Sequence, residues 1–372
     1  MKEWSKQNEY CSFNSWKGLT YINQYRQIAN DIMPIPIEAS IDLTHLCQLD
    51  CNWCNSYEYL NSKGFFYNHV ENRAMPAEHL MKLLNFLLNW GISGVCFGGG
   101  GESTLNSALP EAIKYVSFQG ADPALVTNGV EISNELLEVI HLCRWIGISV
   151  DVTNASFYHE LKGGFSPNIY YRVLENIKKI VAKIKKSTNS KSEVSFKYLI
   201  VPENINGIIE ACSLAKILGV NEFHTRPAST DRREVFKDKS IHYDTELINM
   251  VFEECHELEN EGFKVITSSH KFSSDYRIKN DFSRCWASPL QIQCCADGYV
   301  YVCQDQRINP KFRLGSHYPN PENILNFWGK EEHIKLLKSI TPREDCPRCT
   351  YGPYQKQIEE VVIKDRMCLN FP

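Results

Sequence analysis

The sequence predicts an α/β fold: a partial (β/α)6 TIM-like barrel followed by a smaller C-terminal α+β domain. Three observations predict it. Between Pro34 and Arg226 short β-rich runs alternate with amphipathic helical runs, the alternation stops after Asp231, and cysteines crowd the last quarter of the chain. Strands separated by helices imply right-handed crossovers and a parallel sheet. The expected divisions are an N-terminal segment (1–34), the barrel (35–235), a helical bridge (236–280) and the cysteine-rich domain (281–372).

Each element has its own signal. Ile37, Ala39, Ile41 and Leu43 alternate with polar residues, as in a strand. Pro76 opens a helix whose Leu80, Leu83, Leu84, Leu87 and Leu88 form one stripe, with Gly91 as its stop. Then follow a strand over 94–97, a helix after Asn106, a strand over 124–126, a helix over 131–142 and a strand over 145–150. A Lys-rich helix over 169–186, a strand over 193–201, a helix over 205–218 and a strand over 222–226 complete six repeats. A helical segment over 244–261 precedes a β run at 299–302.

Composition narrows the function. The 372 residues, 43% apolar and 23% charged, exclude a disordered, collagen-like or coiled-coil chain. Forty basic against forty-four acidic residues leave a net charge of −4, whereas a phosphate backbone calls for clustered Lys and Arg. The run Lys178, Lys179, Lys183, Lys185, Lys186 reads as a solvated helix face. No apolar signal region opens the chain and no window of about 18 apolar residues occurs. The expectation is a cytoplasmic protein without nucleic-acid or membrane partners, its oligomeric state open.

Fifteen cysteines in such a chain point to reduced, metal-binding thiols. Cys11, Cys96, Cys143, Cys212 and Cys255 are scattered singly and read as packing residues. Cys47, Cys51 and Cys54 put three thiols within eight residues directly after the first strand. Iron–sulfur clusters take four thiolates, so three would leave one iron open to a small chelating ligand. The alternative is a zinc knuckle completed by His45 or His69. After the second strand comes Gly98-Gly99-Gly100-Gly101-Glu102, at the end of the strand where barrel sites are built. Glycines admit a ligand to the backbone and the carboxylate suits an ammonium group. A phosphate cradle would also use such a turn, but its Lys-Ser/Thr is missing.

Cys-x3-Cys-x2-Cys after the first strand together with Gly-Gly-Glu after the second resembles the radical S-adenosylmethionine superfamily over residues 35–230. The resemblance implies that Cys47, Cys51 and Cys54 hold a [4Fe-4S] cluster whose open iron takes S-adenosylmethionine. It implies that Trp53 lies beside the adenine and that Gly100, Gly101 and Glu102 meet the methionyl amine. It also implies that Thr127, Asn128, Ser149 and Asp151 contact the ribose and methionine parts and that Arg226 takes the carboxylate. An external reductant such as flavodoxin or ferredoxin is then needed.

In the last quarter Cys285, the Gly298-x4-Cys303 run and Cys346-x2-Cys349 make a four-thiol set, a zinc ribbon or a fully ligated cluster. It resembles the auxiliary-cluster domains called SPASM and, in shortened form, twitch, which implies a second [4Fe-4S] cluster. It departs from full SPASM because only Cys368 follows. Cys294 and Cys295 sit beside the hairpin and read as packing residues, with a hydrogen-atom donor or an alternative ligand also open; the role of Cys368 is open.

The spacing of the four thiols resembles aminocyclitol dehydrogenases, which implies oxidation of a small hydroxylated or sugar-like metabolite with the second cluster taking the electron. The alternative is maturation of a ribosomal peptide by cross-linking, epimerisation or side-chain oxidation. The 46 residues before Cys47 leave little room for a peptide-binding module, so the metabolite is the leading expectation. Asp231, Arg232 and Arg233 read as a solvated loop.

Overall fold

The computed structural model describes residues 15–61, 74–166, 168–188, 190–228, 243–272, 281–346 and 349–364. Cys11, His69, Asp231, Arg232, Arg233 and Cys368 lie outside the described residues. The strands join in one ten-stranded sheet. β1 (Glu38–Ile41), β2 (Gly94–Phe97), β3 (Asp122–Thr127), β4 (Trp145–Ser149), β5 (Glu193–Ile200), β6 (Glu222–Pro227) and β7 (Lys264–Thr267) follow one another in parallel. On the other side of β1 lies β8 (Gln291–Cys294), also parallel, continued antiparallel by β9 (Tyr299–Tyr301) and β10 (Arg313–Ser316). The cysteine-rich region therefore shares the barrel's sheet.

The helices are α1 (Ile22–Ala29), α2 (Tyr57–Asn61), α3 (Ala77–Trp90), α4 (Leu109–Phe118), α5 (Asn134–Val139), α6 (Ala155–Lys162), α7 (Ile169–Lys186), α8 (Ile208–Leu218) and α9 (Thr245–His256). Gly91 stops α3 in the left-handed region, φ 117°, as its position predicts. Two helices begin later than their apolar pattern because of caps. The Ser133 hydroxyl accepts from Leu136 N at the start of α5, and the Asp244 carboxylate accepts from Glu246 N and Leu247 N at the start of α9. Two elements escape the sequence pattern. α6 carries no long apolar stripe, and β7, inside the expected helical bridge, is only four residues long. β7 extends the parallel run that starts at β1 to seven strands, one more than the six expected.

Register divides the sheet into two unlike faces. Ala39, Val95, Leu125, Ile146, Val194, Phe223 and Val265 lie on the face packed against helices, and each is at most 1% exposed. The opposite face, the barrel lumen, carries Ser40, Gln293, Cys96, Ser149, Lys197, His224 and Arg226 in register. In this row Ser40, Gln293, Lys197 and His224 are buried, while Cys96, Ser149 and Arg226 are half-buried. At the far end α1 packs through Tyr25 and Ile28 on Trp286, Leu290 and Ile358, tying the chain's beginning to its end.

Candidate functional site

The loop after β1 carries Cys47, Cys51 and Cys54, all half-buried. Protein hydrogen bonds hold the loop on two sides. Asp50 N donates to Lys162 O and Asn52 N to Leu161 O, both at 2.9 Å, fastening it to the end of α6. Gly101 N donates to Thr44 O at 2.9 Å and Glu102 N to Leu46 O at 2.7 Å, fastening it to the glycine run after β2. A Cβ on Gly101 would collide with the Leu46 and Thr44 carbonyl oxygens, so this close approach requires glycine. Burial, with smaller contributions from the neighbouring thiols, pushes the Cys47 thiol up to about 11 and the Cys51 thiol up to about 12. Two buried thiols that resist losing their protons, Cys47 and Cys51, fit a cationic centre, which would supply the positive charge a thiolate needs. His45 is engaged elsewhere: its ring stacks on Tyr59 at 3.8 Å and its Nδ1 lies 3.2 Å from Tyr59 O.

Glu102 stands beside this loop, 4% exposed. Oε1 accepts from Thr127 Oγ1 at 2.6 Å, Thr104 Oγ1 at 2.9 Å and Thr104 N at 3.1 Å, and Oε2 accepts from Asn128 N at 2.7 Å. Burial raises its pKa while those donors favour the carboxylate. The Asn128 amide nitrogen lies 3.8 Å from Cys47 Sγ. Glu102, Thr127, Asn128 and Cys47 thus lie in one cluster, with Thr127 serving the Glu102 carboxylate.

Sequence reasoning missed Lys162. Its ammonium, 1% exposed, donates to Asp151 Oδ2 and to Ser149 O, each at 2.6 Å. Asp151, also 1% exposed, has φ 67°, a strained conformation for a residue with a Cβ, and its Oδ1 accepts from Leu199 N at 2.7 Å. Burial disfavours the Lys162 ammonium, but Asp151, Tyr158 and Cys51 outweigh it and raise its pKa. In turn Lys162 eases the proton off Cys51 and Cys47. Ser149 and Asp151 are therefore joined to the thiol loop through a buried lysine. The only cue in the sequence is a Lys directly before a Gly-Gly pair.

The other expected contacts are more dispersed. Gly100 is buried, with its N–H donating to Asp42 Oδ1 at 3.0 Å. Trp53 is 4% exposed and packs within the main core. Arg226 is half-buried in the lumen on β6, near Lys197. Lys197 is pushed down to about 7 by burial and by Arg226.

The four cysteines of the last quarter, Cys285, Cys303, Cys346 and Cys349, line one largely enclosed pocket with Gln355 and Tyr351. Burial and the neighbouring thiols push Cys285, Cys346 and Cys349 up to about 12, and burial and Asp305 raise Cys303 well above the usual thiol range. The donor set again fits a cationic centre. Gln355 was not foreseen: its amide nitrogen lies 3.7 Å from Cys285 Sγ and 3.9 Å from Cys349 Sγ. Cys294 and Cys295 are fully buried outside this pocket. Among the described residues no three His, Cys, Asp or Glu side chains are gathered tightly enough for a single metal ion. No helix among the described residues is long and apolar enough to cross a membrane.

Comparison with known proteins agrees with this geometry. Residues 41–215 match the Radical SAM superfamily. The antilisterial bacteriocin subtilosin biosynthesis protein AlbA of Bacillus subtilis is 29% identical over 133 residues, 35% of this chain and 28% of AlbA. The chain thus spans little more than a quarter of that relative. The mycofactocin maturase MftC of Mycolicibacterium smegmatis is 23% identical over 323 residues, 84% of this chain and 75% of MftC. The crystal structure of Streptococcus suis SuiB bound to precursor peptide SuiA has the same fold, with a TM-score of 0.61 at 16% identity over 87% of this chain and 72% of SuiB. None of the three is named as an aminocyclitol dehydrogenase, and that narrower resemblance is not shown. A three-cysteine loop after the first strand of a parallel sheet, Gly-Gly-Glu after the second and the match over residues 41–215 are what this chain shares with the Radical SAM superfamily.

Proposed function

We propose that the chain is a radical S-adenosylmethionine enzyme that modifies a peptide, with a second cluster accepting an electron from the substrate. One observation supports the radical reading: the loop of Cys47, Cys51 and Cys54 is fastened beside Glu102, a buried carboxylate oriented by Thr127 and Asn128, and the Asn128 side chain also reaches toward Cys47. The relatives' names favour a peptide over the small hydroxylated metabolite that the sequence pointed to.

In this reading Cys47, Cys51 and Cys54 hold a [4Fe-4S] cluster within the barrel unit, 35–235. With S-adenosylmethionine bound, such a cluster supplies one-electron cleavage to a 5′-deoxyadenosyl radical. The chain's residues bind and orient. Glu102 receives the methionyl ammonium, Gly100 and Gly101 give it backbone access, and Thr127 fixes the carboxylate rotamer. Asn128, Ser149 and Asp151 line the ribose and methionine side, Trp53 the adenine and Arg226 the carboxylate. Cys285, Cys303, Cys346 and Cys349 hold the second [4Fe-4S] cluster in the unit 281–372. Four thiolates leave it no open iron, which suits electron transfer rather than substrate anchoring.

The test is anaerobic incubation of the reconstituted protein with reductant, S-adenosylmethionine and synthetic peptides encoded beside its gene. 5′-Deoxyadenosine should form, and the true peptide should change mass and accelerate its formation. Acceleration by a sugar or cyclitol and by no peptide would return the reading to a dehydrogenase. Glu102→Ala should weaken S-adenosylmethionine binding by about 10- to 150-fold with the iron retained, and calorimetry reads it.

A further inference from the structure

Asp42, at the end of β1, and Arg307, four residues after Cys303, form an ion pair between the two thiol sites. Arg307 Nε donates to Asp42 Oδ2 at 2.5 Å and Nη2 to Oδ1 at 3.3 Å. Asp42 is 0% and Arg307 4% exposed, so the pair is sealed from water. A carboxylate so deeply buried is costly unless several donors satisfy it. It has them: Gly100 N donates to Oδ1 at 3.0 Å, and the Cys295 thiol lies 3.3 Å from Oδ2.

The partners of this pair belong to different sites. Gly100 is in the glycine run beside Glu102. Arg307 also donates from Nη1 to Gln304 O at 2.5 Å, at the residue after Cys303. On the other flank of the glycine run, Ser56 Oγ, two residues after Cys54, donates to Gly99 O at 2.7 Å. A Cβ on Gly99 would collide with the Arg307 guanidinium, and one on Gly100 would come within 2.9 Å of the Asp42 carboxyl carbon. The glycines are therefore small where the pair presses against them. Contacts run without a break from the Cys54 loop through Gly99 and Gly100 to Asp42, Arg307 and the Cys303 segment.

We infer that Arg307 is a positioning residue: through Asp42 it sets the Gly100 backbone, so that S-adenosylmethionine affinity at the first site depends on the ligation of Cys303 at the second. This rests on the proposed function. A well-formed second site fixes Gln304, Gln304 fixes the guanidinium fork, and the fork holds Asp42 in the rotamer that receives Gly100 N. A lone buried carboxylate would instead turn toward other donors and release the glycine run.

The experiment titrates S-adenosylmethionine into the reduced, reconstituted full-length protein and follows the electron paramagnetic resonance signal of the first cluster. Arg307→Met should weaken binding by about tenfold or more while the iron content stays at the wild-type level. Asp42→Asn keeps the side chain's shape and secures the test if Arg307→Met folds poorly; it should weaken binding in the same direction. Cys303→Ser should also weaken binding, and combining it with Arg307→Met should weaken it no further than Arg307→Met alone, because both act through one link. Wild-type affinity in either folded Asp42 or Arg307 variant, or additive losses in the double variant, overturns the inference. Wild-type protein that binds no S-adenosylmethionine would instead overturn the functional reading beneath it.

Discussion

The two thiol sites are assembled in opposite ways. Cys47, Cys51 and Cys54 come from one loop that the protein already holds, by hydrogen bonds to Lys162 O, Leu161 O and the glycine run. Cys285, Cys303, Cys346 and Cys349 come from three separate segments and meet only in the folded chain. The first loop is held by protein contacts, so a cluster there would be needed for chemistry rather than for folding. A cluster at the proposed second site would bridge distant parts of the chain and serve structure as well, since metal-binding free energy becomes folding free energy when ligands are gathered only on folding.

The largest expected effect separates chemistry from stability. Changing Cys47, Cys51 and Cys54 together to Ala should abolish 5′-deoxyadenosine formation and remove about four of about eight irons. The melting temperature should move little. A collapse of melting in this variant would show that the first loop needs its metal to fold. The second effect is the mirror image. Cys346→Ala/Cys349→Ala should remove the other four irons or so and lower the melting temperature well below that of the triple variant. At saturating S-adenosylmethionine, cleavage should continue while oxidised product is lost. Equal melting curves for the two variants would erase the distinction.

The same contrast explains what could be read from the sequence. The first site was legible because its ligands are neighbours: Cys47, Cys51 and Cys54 keep fixed spacing on one loop, and Gly100, Gly101 and Glu102 follow the next strand directly. Its support was not legible. Lys162 looks like any solvated helix lysine, and only the packing of α6 beneath the loop buries it. Asp42 reads as the polar partner in an alternating strand, and Arg307 sits in a segment without periodicity. β7 was missed because four residues carry too little pattern, and the sheet continuity of β8 with β1 because nothing local encodes a pairing between Ser40 and Gln293.

The third effect tests whether protein contacts alone hold the first loop. Lys162→Met leaves Asp151 buried and uncompensated, in a conformation already strained, and should cost about 3–5 kcal/mol of stability. Denaturant unfolding measures it. The first cluster's reduction potential should also fall, because the positive charge nearest Cys51 and Cys47 is gone. A potential that stays fixed would confine Lys162 to holding Asp151.

The smallest effect concerns Gln355, 2% exposed at the second site. Its Oε1 accepts from Trp286 N at 2.5 Å and Ala287 N at 2.9 Å, while its amide nitrogen faces Cys285 and Cys349. It thus touches two of the four thiols and also fixes the backbone after Cys285. Gln355→Leu keeps the bulk and removes both functions. Leaving the two backbone donors unmet should cost about 1–3 kcal/mol, a smaller loss than that of the whole cluster. Hydrogen bonds to cluster sulfurs favour the reduced state, so the second cluster's potential should fall. The first cluster's potential should not move, since no contact of Gln355 reaches the loop of Cys47. A redox titration followed by electron paramagnetic resonance reads both signals in one sample. A shift of both would mean that the two sites share their electrostatics through more than Arg307, and a shift of neither would reduce Gln355 to a backbone clamp.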